Sequence, residues 1–132
     1  MHTTNYQNTF IEPSEDCTAK GRVPDKAGTV AALQFQMLND APYALTSDDL
    51  LVAVTAMRRD IPKDEHEALH AELFSKGQPC LRASALVKTY GWAVHHDGQG
   101  RVALVAPDSP VYQPFLDDPT VTKVKGMRST RK

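Results

Sequence analysis

The chain has 132 residues, a formal net charge of −1, 41% hydrophobic and 23% charged residues, and two cysteines. A chain of that length fits one domain and buries roughly two thirds of the surface it exposes when unfolded, so it needs no covalent or metal staple. The composition excludes a disordered chain and a disulfide-stapled secreted scaffold, and the longest apolar runs, residues 50–54 and 102–106, are too short to cross a bilayer.

The first residues carry Glu12, Glu15 and Asp16 where a signal peptide would have an apolar core. With Cys17 and Cys80 as reduced thiols, this points to the cytoplasm and away from membranes. The small net charge hides a division. Residues 1–74 carry 6 Lys/Arg against 12 Asp/Glu, and residues 75–132 carry 9 against 4. A basic half attracts polyanions, nucleic acid among them. Packing of the acidic half beside the basic half cancels the same field, and this is the preferred reading because domain-wide basicity is missing.

In chain order, Asn8 to Glu12 reads as a strand stopped by Pro13. Residues 13–28 are rich in Pro, Ser, Asp, Gly and Lys and read as a long surface loop, either mobile or functional. Thr29 caps a helix running to about Asn39, with Val30, Leu33, Met37 and Leu38 at helical spacing. Thr46 or Ser47 caps a second helix with Asp48 and Asp49 in its first turn and Arg58 and Arg59 in its last. A third starts after Pro62 and runs through Leu69 and Leu73 to stop at Gly77. Ser84 caps a short helix from Ala85 to Tyr90, ended by Gly91. Residues 92–96 and 101–105 flank Asp97-Gly98-Gln99-Gly100 as a hairpin. A helical turn from Ser109-Pro110 toward Leu116 is expected to be short or kinked, because Pro114 removes a donor and clashes with the turn behind it. Residues 120–125 alternate β-branched residues and lysines as an edge-like strand, and residues 129–132 are expected to fray. The fold class is therefore α+β in a single domain over 1–132. A small antiparallel sheet (N-terminal strand, hairpin about 92–106, C-terminal strand about 120–125) packs with three main helices and one or two short ones.

Several runs carry a resemblance: His2-Thr3-Thr4-Asn5-Tyr6, Asn8-Thr9-Phe10-Ile11, Thr46-Ser47-Asp48-Asp49, Tyr90-Gly91-Trp92 and Met127-Arg128-Ser129. The most specific is Phe74-Ser75-Lys76-Gly77-Gln78-Pro79-Cys80-Leu81-Arg82. Over nearly its whole length the chain resembles a family of small bacterial proteins of unknown function. The resemblance implies an intracellular single-domain protein and carries over no catalytic residue. In the family pattern a proline often follows the serine equivalent to Ser84. Ala85 stands there in this chain, which loosens the start of the short helix.

Three groups of residues offer chemistry. His66-Glu67-Ala68-Leu69-His70 is H-E-x-x-H on a helix, which sets both imidazoles on one face as zinc ligands with Glu67 as general base. The charged neighbours Asp64, Glu65 and Glu72 fit a solvated helix face better than a metallopeptidase core, and no downstream third ligand is evident, with His95, His96, Asp97 and Asp108 as candidates. Cys80, between Lys76 and Arg82, is a candidate reactive thiolate with His95 or His96 as base; otherwise it is a small buried hydrophobe. Lys76, Gln78 and Arg82 form an anion-receptive loop, with Lys123, Lys125 and Arg128 extending the basic surface and Tyr90 and Trp92 as stacking faces. Core packing is the preferred role for Trp92. Strand alternation turns Trp92, Val94 and His96 inward, with His96 a satisfied core histidine, and leaves His95 exposed.

The leading functional expectation is a small cytosolic binding or accessory module, more a binder than an enzyme, that takes an anionic small molecule or nucleic acid at residues 76–82. A zinc-dependent hydrolase and a thiol enzyme or redox sensor are the alternatives. Oligomeric state stays open.

Overall fold

Phe10 and Ile11 are neighbours in one strand, so their side chains point to opposite faces, yet both are 0% exposed. Such a strand needs a layer of packing on each side. In a computed structural model describing residues 2–128, the chain forms nine elements. They are β1 (Thr9–Glu12), α1 (Val30–Asp40), α2 (Ser47–Arg59), α3 (His66–Leu73), α4 (Ala85–Lys88), β2 (Ala93–His96), β3 (Val102–Val105), α5 (Tyr112–Asp117) and β4 (Thr122–Lys125). Single 3-10 turns, Lys63–Glu65 and Leu81–Ala83, lead into α3 and α4. The expected frayed tail lies outside the described residues.

The sheet order is β3-β2-β1-β4. β2 pairs antiparallel with both β1 and β3, and β4 lies at the edge as expected. The α+β class and the mostly antiparallel sheet are those read from the sequence. One difference is direction: β4 runs parallel to β1, from Thr9 opposite Thr122 to Glu12 opposite Lys125. Residues 106–121 make a crossover carrying α5, and such a connection brings the chain back parallel to β3, the strand it left.

Ile11, Val94 and Val102 pack on Leu38 of α1 and Leu50 and Val54 of α2. On the other face Phe10, Ala93 and Val105 meet Tyr112, Phe115 and Leu116 of α5, with the Phe10 and Phe115 rings stacked at 5.1 Å. α3 rests on α2 through Val52, Ala56, Leu69, Leu73 and Phe74.

The caps follow the sequence reading. The Thr29 hydroxyl accepts from Ala32 N at the start of α1. Thr46 and Asp49 form a reciprocal capping box on α2, and Asp60 closes that helix in a left-handed conformation. At Pro114 the expected element is short, six residues, rather than kinked. α5 begins only at Tyr112, so the proline falls in its first turn, where no intrahelical donor is required.

Residues 43–46 cover the outer edge of β3. Tyr43 N donates to Val102 O, and Val102 N donates to Leu45 O, both at 2.9 Å. The long loop of residues 13–28 is strapped down. Ser14 N donates to Val87 O, Gly21 N and Arg22 N both donate to Tyr90 O, and the Trp92 indole N–H donates to Arg22 O at 2.9 Å. The chain passes so close that a Cβ on Gly91, at φ +75°, would sit 2.0 Å from Ala19 O. Trp92 is thus only half-buried, tilted against Phe35 at 5.4 Å, and not a central core residue.

Ser84 holds ψ 143°, the conformation that a following proline requires, and Ala85 opens α4 with no backbone N–H bond among the described residues. Ala85→Pro is therefore expected to raise stability by about 0.5 kcal/mol in denaturant unfolding. A loss of stability would show that the start of α4 needs a donor or a φ that proline denies it.

Candidate functional site

The site is built around the start of α2. Asp48 is 7% exposed, and its carboxylate accepts from Thr3 Oγ1, Thr4 N and Thr4 Oγ1, each at 2.6 Å. Because Thr4 gives its hydroxyl hydrogen to Asp48, Ser47 donates to Thr4 Oγ1 at 2.8 Å. Asp48 N in turn donates to Asn5 Oδ1 at 2.9 Å. A carboxylate at a helix N-terminus is held by the macrodipole as well as by these donors. The knot lays residues 2–6 across α2 and against the turn after α3, where His2 N donates to Phe74 O at 3.0 Å. It also brings the Tyr6 hydroxyl to 3.3 Å from Cys80 Sγ. Burial raises the Tyr6 pKa, with Cys80 adding to the shift and Arg82 opposing it, so the phenol keeps its proton.

Thr4, Ser47 and Cys80 line one side of a cleft of about 240 Å³ between α1, α2 and residues 79–85. Gln34 and Ser84 add two further polar groups. Ser84 Oγ accepts from Leu86 N and donates to Gln34 Oε1 at 2.7 Å. The remaining walls are mainly apolar, with Val30, Ala31, Leu50, Leu51 and Leu81 among them. An apolar concavity with a few convergent polar groups has the composition of a small-molecule site.

The family model for a family of unknown function, DUF6157, matches residues 1–132. The chain belongs to DUF6157. No curated protein and no solved structure matched it. In this DUF6157 member, three of the runs that carry the resemblance, residues 2–6, 46–49 and 74–82, meet at the cleft through Thr4, Ser47 and Cys80.

The sequence-derived candidates fall in four places. Of the loop donors, Gln78 Nε2 is spent on Leu73 O at 2.8 Å and Arg82 Nε on Lys125 O at 2.6 Å. Lys76 is exposed. The Tyr90 ring, expected as a stacking face, is covered by the Arg22 guanidinium at 4.7 Å. The basic surface beyond them is neutralised locally. Lys125 pairs with Glu12 and Arg128 with Glu15, while Lys123 donates to Asp118 O and Val121 O.

Cys80 and His95 do not converge, because the sheet separates them. His95 lies on the α5 face, stacked on Phe115 at 4.1 Å, with Nδ1 bonded to the Tyr43 hydroxyl at 2.8 Å. It is half-buried where an exposed side chain was expected, and burial lowers its pKa against the opposing pull of Asp97 and Asp118. Cys80 instead meets Tyr6, whose ring sits edge-on to His96 on the helical face of the sheet. His66, Glu67 and His70 line a second, more open groove of about 420 Å³ with Asp49, Leu45, Val52 and Ala53. Among the described residues no three His, Cys, Asp or Glu side chains come together as a metal-holding group.

Thr4, Gln34 and Ser47 were not singled out from the sequence. Thr4 had its run in the resemblance and Ser47 a reading as a cap, while Gln34 had no local signal.

His96 is also corrected. It is 0% exposed, but neither ring nitrogen has a hydrogen-bond partner among the described residues. Burial, aided by His95 and opposed by Asp97, lowers its pKa to about 4. The unfolded chain therefore takes up this proton near the usual 6.5 while the folded chain refuses it until about 4. Stability falls as pH drops through that window, by about 3 kcal/mol for a shift of this size. His96→Leu is expected to flatten this part of the pH profile. It should also gain about 1–2 kcal/mol at pH 7 by removing two orphaned polar atoms. An unchanged slope between pH 6.5 and 4 would contradict the assignment. For the Asp48 knot, Asp48→Ala is expected to cost about 2–3 kcal/mol in urea unfolding, since it strips several hydrogen bonds to a charged acceptor. A loss below about 0.5 kcal/mol would show that residues 2–6 are held by other contacts.

Proposed function

We propose that the chain is a small-molecule binding module whose ligand occupies the cleft between α1, α2 and residues 79–85. The observation that carries this reading is the cleft's composition: an apolar enclosure with the hydroxyls of Thr4, Ser47 and Ser84, the Gln34 amide and the Cys80 thiol at its walls. Thr4 and Ser47 are held by the Asp48 knot, Ser84 by its cap on α4, Gln34 by Ser84 and Cys80 by Tyr6, so in this reading the site is preformed. The reading moves the ligand from the outer side of residues 76–82 to the cleft that this loop helps to wall, because Gln78 and Arg82 already serve backbone carbonyls. The groove at His66 and His70 is the weaker candidate, being more open and lined by fewer apolar side chains. The module acts in the cytoplasm in this reading, which the two free thiols Cys17 and Cys80 support. No helix among the described residues is long and apolar enough to cross a membrane.

The neutral fluorescent probe N-phenyl-1-naphthylamine tests the cleft directly. Saturable one-to-one binding is expected, weakened at least tenfold by Val30→Trp, which fills the cleft from a side chain that is 40% exposed and so spares the fold. Bound probe is also expected to slow alkylation of Cys80 relative to Cys17. No saturable binding, or full affinity in the Val30→Trp protein, would remove the reading.

A further inference from the structure

The cleft does not end at Val30. A second cavity of about 190 Å³ continues along the seam between α1 and α2. The two cavities share Val30, Gln34 and Leu51 in their walls, so they adjoin along the seam with Gln34 at their junction. One end is bounded by Pro79 and Cys80. The other carries Thr55, Arg58 and Arg59 on the last turns of α2, with Val54 beside them.

The charges at that end are unequal. Arg59 Nη1 is committed to Glu72 at 3.1 Å. Arg58 makes no hydrogen bond or ion pair with any described residue, and it lies on the groove wall one helical turn beyond Thr55. The seam thus offers Val30, Leu51 and Val54 as apolar surface beside the Gln34 amide, and a single uncommitted guanidinium at one end. A guanidinium presents paired N–H donors that match a carboxylate, and an aliphatic body would keep the apolar seam from water. The two volumes restrict that body to a short chain or an aryl group no larger than the probe.

We propose that this groove takes an amphipathic monocarboxylate, with its apolar body along the α1–α2 seam and its carboxylate on Arg58. This rests on the cleft reading and adds a ligand class and a specificity-determining residue to it. Arg58 sets the preference for the acid over a neutral analogue of equal length. Thr55 supplies a hydroxyl on the same helical face.

Competition against N-phenyl-1-naphthylamine on the full chain separates the two levels. Octanoate and octan-1-ol are both expected to displace the probe. Arg58→Gln is expected to weaken octanoate about fivefold and leave octan-1-ol unchanged, and Arg58→Glu to weaken octanoate further. Octanoate affinity should also fall with added salt. Unchanged octan-1-ol binding certifies that the variant is folded. Equal loss of both competitors, or no loss of octanoate in Arg58→Gln, overturns the carboxylate proposal while the cleft stands. Probe binding with displacement by the alcohol alone does the same. If the probe binds but neither compound displaces it, the carboxylate proposal falls while the cleft stands; if the probe does not bind, both readings fall.

Discussion

The buried carboxylate of Asp48 is the interaction on which the candidate site depends. It sits in the first turn of α2, and three donors from Thr3 and Thr4 converge on it. Without that acceptor, residues 2–6 would keep only the Thr4–Ser47 bond and the Asn5 bond to Asp48 N against α2, and a segment ordered by few contacts does not repay its backbone entropy. Three consequences follow from one side chain. Thr4 becomes a wall of the cleft, Tyr6 reaches Cys80, and His2 meets the end of α3. The same position read as a plain helix-start acid would contribute only a fraction of a kcal/mol, so its larger role comes from what the chain lays across it.

A second constraint acts through the sheet. β1 is buried on both faces, which forces helices to one side and α5 to the other. That layering separates the chemistry. Tyr6, His96 and Cys80 belong to the helical side, and His95, Tyr43 and Phe115 to the α5 side. The adjacent histidines of β2 therefore have opposite surroundings. His95 finds a phenol, while His96 finds only an aromatic edge and no partner for its nitrogens. A fully buried imidazole of this kind costs stability, and nothing in the described residues offsets it.

Much of the fold was legible because it rests on local rules. Thr29, Thr46 and Ser84 cap the helices they were expected to cap, and Asp97-Gly98-Gln99-Gly100 turns a hairpin. The failures are all long-range. Alternation places His96 inward correctly, but whether a donor waits there depends on residues from β1 and the N-terminal segment. The direction of β4 depends on a crossover, and the fate of Arg82 depends on where β4 ends. The site was legible only in part. The sequence drew attention to residues 74–82 through unusual local chemistry, and Cys80 does line the cleft. The neighbours that complete the cleft come from residues 2–6, α1 and α2, far away in sequence and ordinary in type. Gln34 is a clear case: it is 9% exposed and hydrogen-bonded to Ser84, yet a glutamine on an amphipathic helix reads as solvent-facing.

The central claim is that an amphipathic carboxylate occupies the α1–α2 groove, and backbone amide chemical-shift mapping of the full chain during an octanoate titration tests it most directly. The account expects saturable shifts concentrated at Val30, Gln34, Leu51, Thr55, Arg58, Cys80 and Ser84, the residues that bound the groove from end to end. Shifts centred on His66 and His70, shifts confined to the outer loop around Lys76, or an unperturbed spectrum at saturating octanoate would contradict it.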